Sequence, residues 1–194
     1  MGAGIECDLR LTRDGRIVVF HDGDAVRLCG DPLVFAHATL SDVAQLRLGG
    51  APIPTIEDLL DLIQGQVPLL LEVKSEDDSD RWPAALGRAL ADYRGGFGIM
   101  SFNPLIGRLL KAKLPDVRRG FVFDAKLSPF RRRLALSLAA PEFVAVSREI
   151  VADPSVQSLR RTVPVYSWTI RTAEERAQAK VQADALIWEA DGRP

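Results

Sequence analysis

The chain is short of the features that mark several large classes of protein. Two cysteines, Cys7 and Cys29, in 194 residues offer no disulfide framework. No apolar run approaches the roughly 18–20 residues that a membrane-spanning helix needs. The formal charge is −1, from 25 basic and 26 acidic side chains. The overall balance therefore carries neither a nucleic-acid nor a membrane-surface signal. The one basic run, Arg131-Arg132-Arg133, opens a helix-like stretch and reads as a solvated face. No charged-then-apolar leader precedes the first strand-like segment, which sets the expectation of a cytoplasmic protein. Low-complexity segments, interdomain linkers and short repeats are missing as well. What remains is one globular domain spanning residues 1–194, 47% hydrophobic and long enough to bury a sizeable core.

What the sequence does contain is organised around Gly4 to Asp22, two strand-like segments joined by Asp14-Gly15. Asp-Gly is a hairpin signal, because a two-residue type I′ loop needs positive φ. With these two residues as the loop, Asp8 faces His21, and the strand period places Glu6 on the same face. A three-residue loop slips this register by one. The polar face admits two readings: a solvated edge, or carboxylates gathered around a cation. Gly4, Ile5, Val18, Val19 and Phe20 are the residues of a packed strand, and buried acids need partners, which favours the cation. Cys7 points to the opposite face, into packing.

Downstream, the pattern alternates. Residues 23–38 read as a loop and 40–48 as a short helix. Thr55 caps a helix that ends before Gly65. Strands follow at 67–73, 97–102, 119–123, 143–147, 163–170 and 185–188. Helices lie between them at 83–93, 104–114, 129–139 and 154–161, and a Thr172/Glu175 capping box starts another. Such alternation predicts a parallel α/β fold. Without the returning hairpin strand there are seven parallel strands, one short of a (β/α)₈ barrel. No glycine-rich phosphate loop follows the first strand, which argues against an open doubly wound sheet. In a barrel, residues at the carboxyl ends of strands form the active face. Glu6, Asp8, Glu72, Asn103, Asp124, Ser147, Trp168 and Glu189 fall at or near such ends.

Glu72 and Lys74, two apart, share a strand face in a context too apolar for a surface strand. Glu6, Asp8 and Glu72 together form an oxygen set suited to Mg²⁺ or Ca²⁺ rather than zinc. A divalent ion and Lys74 bring three carboxylates near neutrality, so that a phosphate oxygen is able to bind both. His21 is placed to move a proton.

The ordered motifs resemble the glycerophosphodiester phosphodiesterase family. They are Glu6-x-Asp8, Thr12 to Gly15, Val18 to Asp22, Ile53 to Leu60, Leu69 to Lys74, Ser101 to Pro104 and Tyr166 to Ile170. The closing ADALIWEADGRP stands where the family usually has a strand ending in Thr-Asp. The resemblance implies a (β/α)₈ TIM barrel of the phosphatidylinositol-phospholipase type. It implies metal ligation by Glu6, Asp8 and Glu72, phosphate contact by Lys74, and a pocket walled by Phe102 and Trp168. It implies His21 as one of two catalytic histidines, the acid for the leaving alcohol, in hydrolysis of a small-molecule glycerophosphodiester to glycerol 3-phosphate and an alcohol. The family's first strand ends in His-Arg-Gly, and no such motif precedes Ile5; His37 does not fit that role. With the strand count, this sets the expectation of a barrel lacking its first β/α unit, with open edges that invite homo-oligomerisation. The rival readings are another barrel phospholipase or phosphodiesterase, and a degenerate barrel that binds a metal or a partner without catalysis.

Overall fold

A computed structural model describes residues 3–75 and 79–189; residues 190–194 of the closing ADALIWEADGRP stretch lie outside the described residues. The chain begins with the hairpin β1 (Ile5–Leu11) and β2 (Ile17–Val19). The helical turn α1 (Val26–Cys29) and the short helix α2 (Leu40–Val43) follow. From there helix and strand alternate: α3 (Ile56–Ile63), β3 (Leu69–Val73), α4 (Trp82–Leu90), β4 (Phe97–Ser101), α5 (Pro104–Lys113) and β5 (Arg118–Phe123). The chain continues through α6 (Pro129–Ala139), β6 (Phe143–Ser147), α7 (Pro154–Leu159), β7 (Val165–Ile170), α8 (Ala173–Lys180) and β8 (Ala185–Trp188). Local chemistry sets the boundaries. Capping boxes at Thr55/Asp58 and Thr172/Glu175 start α3 and α8, and proline occupies the first turn of α4, α5, α6 and α7.

The strands form one eight-stranded sheet in the order β2-β1-β3-β4-β5-β6-β7-β8. Every neighbouring pair is parallel except the β1–β2 hairpin. The sheet is a barrel-like half-barrel, and the expectation of a barrel lacking its first β/α unit is not met. The first strand and the first helix, β1 and α1, are both present. The count of seven came from leaving out the return arm of the hairpin, yet β2 is a hydrogen-bonded member of the sheet. On one side β3 pairs β1 along Ile5–Leu9, and on the other β2 pairs it along Leu9–Leu11 alone; among the described residues β8 has no strand partner beyond β7. The outer side of β2 is met in turn by the Pro54–Thr55 segment, through Val19 N–H to the Pro54 carbonyl at 2.9 Å. Residues 23–38, expected as loop, contain α1 and a 3₁₀ turn at Phe35–His37.

The hairpin register also differs from expectation. Leu9 faces Val19 and Leu11 faces Ile17, so the loop has three residues, Arg13-Asp14-Gly15. Thr12 is the cause. Buried at the loop base, its hydroxyl donates to the Asp14 carboxylate at 2.6 Å and accepts from the Arg16 N–H at 3.0 Å. Gly15 takes the left-handed conformation (φ +78°) that such a loop requires. Asp8 therefore lies opposite Phe20, whose N–H donates to the Asp8 carbonyl at 2.9 Å, and not opposite His21.

Alternation along each strand divides the side chains into two layers. Leu9, Leu71, Val73, Ile99, Phe121, Phe123, Val144 and Val146 pack beneath the helices. Met100, Val122, Phe143, Ala145, Leu70, Tyr166, Trp168 and Ile187 pack together on the inner face of the sheet. Phe143 reaches across β5 because position 120 has no side chain: a Cβ on Gly120 would meet the Phe143 ring at 2.3 Å. Gly120→Ala is expected to cost about 1–3 kcal/mol by overpacking, read as a lowered urea midpoint at unchanged slope. An unchanged midpoint would mean that the inner layer is loosely packed.

Candidate metal and phosphodiester site

Parallel pairing of β1 with β3 sets Asp8 directly opposite Glu72. Glu6 precedes Asp8 by two residues on the inner face, and Lys74 follows Glu72 by two. Carboxylate oxygens of Glu6, Asp8 and Glu72 all lie within 4.8 Å of one another. Lys74 Nζ donates to both Glu72 and Asp8, the latter at 3.0 Å. Glu72 is buried; the others are half-buried.

Crowding three acids away from water has an electrostatic cost. Burial, followed by the charges of Asp8 and Glu72, pushes the Glu6 carboxyl up to about 8. Burial also raises Glu72, with Lys74 acting in the opposite sense. Burial pulls on Lys74 as well, but the Glu72 and Asp8 carboxylates outweigh it and hold the ammonium charged. The site thus carries more negative charge than Lys74 neutralises. A hard divalent cation fits both that charge and the all-oxygen donor set.

The surrounding residues complete the mouth. Phe102 and Trp168 meet edge to face at 5.5 Å, and Lys74 Nζ lies 5.6 Å from the centre of the Phe102 ring. The Ser-Phe-Asn-Pro turn fixes Phe102: Ser101 donates to the Val73 carbonyl at 2.6 Å, and Asn103 caps α5 by accepting the Leu105 N–H at 3.0 Å. Trp168 Nε1 is buried with no hydrogen-bond partner among the described residues. Glu189, at the end of β8, adds a further negative charge that acts on Glu6. Asp124 and Ser147 instead accept backbone N–H groups of their own turns.

His21 reaches this end of the sheet by a route the register argument did not foresee. Arg10, on the inner face of β1, donates to the His21 carbonyl at 3.0 and 2.7 Å and to the Lys74 carbonyl at 3.2 Å. One guanidinium thereby ties the ends of both segments together. The His21 ring is exposed, its Nδ1 sits 2.7 Å from Asp22, and Asp22 is gripped by Arg27 at 2.7 and 2.8 Å. Arg27, then His21, hold the Asp22 carboxyl well below the usual carboxylate range. His21 is near enough to Glu72 to act on its titration. His37 lies in the Phe35–His37 turn, which packs on the hairpin through Phe35 against Phe20 at 4.6 Å.

Sequence reasoning missed Arg10, Asp22 and Arg27. A basic residue at the right parity of β1 was a signal for the first, and the Asp22–Arg27 spacing a weaker one for the others. A cavity of about 750 Å³ opens along the inner face toward the amino ends of the strands, lined by Phe97, Phe143 and Tyr166 among others. Of the three acids only Glu6 borders it.

A family model for the glycerophosphoryl diester phosphodiesterase family matches residues 2–190. The chain belongs to this family. It is 25% identical over 199 residues to a glycerophosphodiester phosphodiesterase of Caldanaerobacter subterraneus subsp. tengcongensis, covering 95% of this chain and 81% of that protein. Solved structures share the fold. A phosphodiesterase of Oleispira antarctica superposes with TM-score 0.84 at 23% identity, over 95% of this chain and 80% of that one. A glycerophosphodiester phosphodiesterase of Thermotoga maritima gives 0.77 at 21%, over 95% and 80%. Family membership and the acidic triad together support a phosphodiesterase-like enzyme with a candidate metal site. Among the described residues, no helix is long and apolar enough to cross a membrane.

Calorimetry with Mg²⁺ or Ca²⁺ is expected to show one cation bound, at least about tenfold more weakly in Asp8→Asn. Near neutral pH the cation should also displace the Glu6 proton, so the observed heat will vary with the ionisation enthalpy of the buffer. Equal affinity in the variant removes Asp8 from the ligand set.

Proposed function

We propose that this chain hydrolyses glycerophosphodiesters to glycerol 3-phosphate and an alcohol, with a divalent cation, Mg²⁺ or Ca²⁺, held by Glu6, Asp8 and Glu72. The observation that carries the reading is the convergence of those three acids and Lys74 on one inner-face edge, within 4.8 Å for the acids. The Oleispira antarctica structure, a complex with the product sn-glycerol-3-phosphate, supports the substrate class.

A divalent cation held by Glu6, Asp8 and Glu72 would polarise the phosphate as a Lewis acid and offset its charge. Lys74 contributes a second positive charge for a phosphate oxygen. Trp168 and Phe102, edge to face, wall the pocket. His21 is the general acid. As an imidazolium it gives one N–H to Asp22 and keeps the Nε2 proton for the leaving group, while Arg27 fixes Asp22 and hence the ring.

The glycerol 2-hydroxyl oxygen bonds to phosphorus as the bond to the alcohol breaks. The hydroxyl proton passes to solvent, and His21 protonates the departing alkoxide. Water then opens the cyclic phosphate: His21 takes a proton from the attacking water, and the released 2-oxygen recovers one from solvent. Each proton lost in the first half is restored in the second.

One observation favours a second reading, a barrel that binds the diester without turning it over. The resemblance pairs two catalytic histidines, and the other histidine of this chain, His37, lies in the Phe35–His37 turn, outside the carboxylate cluster. The leaving group separates the two readings. His21→Ala is expected to lose roughly 10²–10⁴-fold on a glycerophosphodiester with a poor leaving alcohol, but far less on a p-nitrophenyl diester, whose leaving group scarcely needs a proton. Equal losses on both would rule out the acid role; no turnover of either by the unmodified chain would favour the binding barrel.

A further inference from the structure

Helix α6 is amphipathic in an inverted sense. Arg132, Ala135 and Ala139 are its buried residues. Arg132 belongs to the fold: its guanidinium lies 4.8 Å from the centre of the Phe123 ring and donates to Ser155 at 3.1 Å. At 3.6 residues per turn, the crest opposite that face falls on Phe130 and Leu134. They are 71% and 57% exposed, four apart and therefore neighbours on the helix surface. Arg131 and Arg133, both exposed, flank the crest on its two sides. The arginine run is thus not one solvated face. One member is structural, and two border an exposed apolar ridge.

The charge around this ridge is equally one-sided. Between residues 102 and 140 there are nine basic side chains and two acidic. Arg119 and Arg132 are buried and pair with Glu142 and Asp153, which leaves seven exposed basic side chains in a chain whose net charge is −1. Neither α5 nor α6 contains an acid. The rest of the chain is correspondingly negative. The near-neutral total hides a basic stretch, which suits an anionic partner.

We propose that the exposed face of α6 docks on an anionic lipid surface. Phe130 and Leu134 would enter the boundary between headgroups and acyl chains, with Arg131 and Arg133 on lipid phosphates, the pattern of an interfacial helix. A second copy of the chain fits poorly, because a two-fold pairing of this face sets arginines against arginines. Nucleic acid uses aromatic stacking, to which Leu134 contributes nothing. The first turn of α6 follows the carboxyl end of β5, at the same edge of the parallel sheet as Asp8 and Glu72. Docking there brings the candidate site close to the lipid.

The test is flotation of the intact chain with vesicles of phosphatidylcholine alone and of phosphatidylcholine with phosphatidylglycerol, at low and high salt. Binding is expected only with phosphatidylglycerol present, and to weaken with salt. Phe130→Ser with Leu134→Ser should lower partitioning at least about tenfold. Arg131→Gln with Arg133→Gln should do so by a similar factor. Melting temperatures are expected to stay unchanged in both. Absence of vesicle binding, equal binding to both vesicles, or full binding by the Phe130/Leu134 variant would overturn the proposal. So would self-association, or oligonucleotide binding in place of vesicle binding, that this variant abolishes. The readout needs no turnover, so it stands apart from the catalytic reading.

Discussion

In the β1–β3 ladder Asp8 stands beside Glu72, with Lys74 bridging the two carboxylates. Most of what the molecule is positioned to do depends on that pairing. A shift of one residue would send every acid of one strand to the helix-covered face and leave Leu9 or Leu71 in the mouth. The register is held from outside by Leu9, Leu11, Leu71 and Val73, which belong to one buried cluster beneath the helices. From inside it is held by Arg10, which spans from β1 to the end of β3. The apolar layer thus fixes the position of charged groups that, alone, would not stay together.

Those charges are not at rest. Removing one partner of a buried ion cluster leaves the others uncompensated, and here three carboxylates share one ammonium. The elevated titration of Glu6 is the visible sign. A phosphodiesterase site needs positive charge where phosphate arrives, so a site this negative suits phosphate only with a cation in place. On the proposed function, stability and chemistry would ask for the same cation.

The strand and helix sequence was legible because β-branched runs, capping boxes and prolines at helix starts are local signals. Parallel strands from β3 to β8 fell within a residue or two of their expected starts, and the acid triad followed from parity together with the placement of acids at strand ends. Three things were not legible. The hairpin register turned on Thr12, whose hydroxyl stabilises a three-residue loop by bonds that a dipeptide signal does not contain. The seven parallel strands are there, but the inference of a missing unit failed because β2, the antiparallel return arm, makes the eighth strand of the sheet. The orientation of His21 depends on Asp22, Arg27 and Arg10, which meet only once the chain is folded. Charge segregation between residues 102 and 140 was present in the sequence and was averaged out by reading only the total.

The most direct test of the central claim, that β1 and β3 bring together acids in need of a cation, is melting temperature against pH with and without a divalent cation. The carboxyls held low in the fold, such as Asp14, Asp42 and Asp58, lend their full stability once pH exceeds their ordinary values, so above about pH 5 they contribute no slope. Glu6 is raised from 4.5 to about 8: the native state holds its proton where the unfolded chain has lost it, and stability falls as pH rises through that interval. Metal-free protein is therefore predicted to melt progressively lower from about pH 5 to 8, and saturating Mg²⁺ or Ca²⁺ to abolish most of that decline. Superimposable curves with and without the cation would contradict the account.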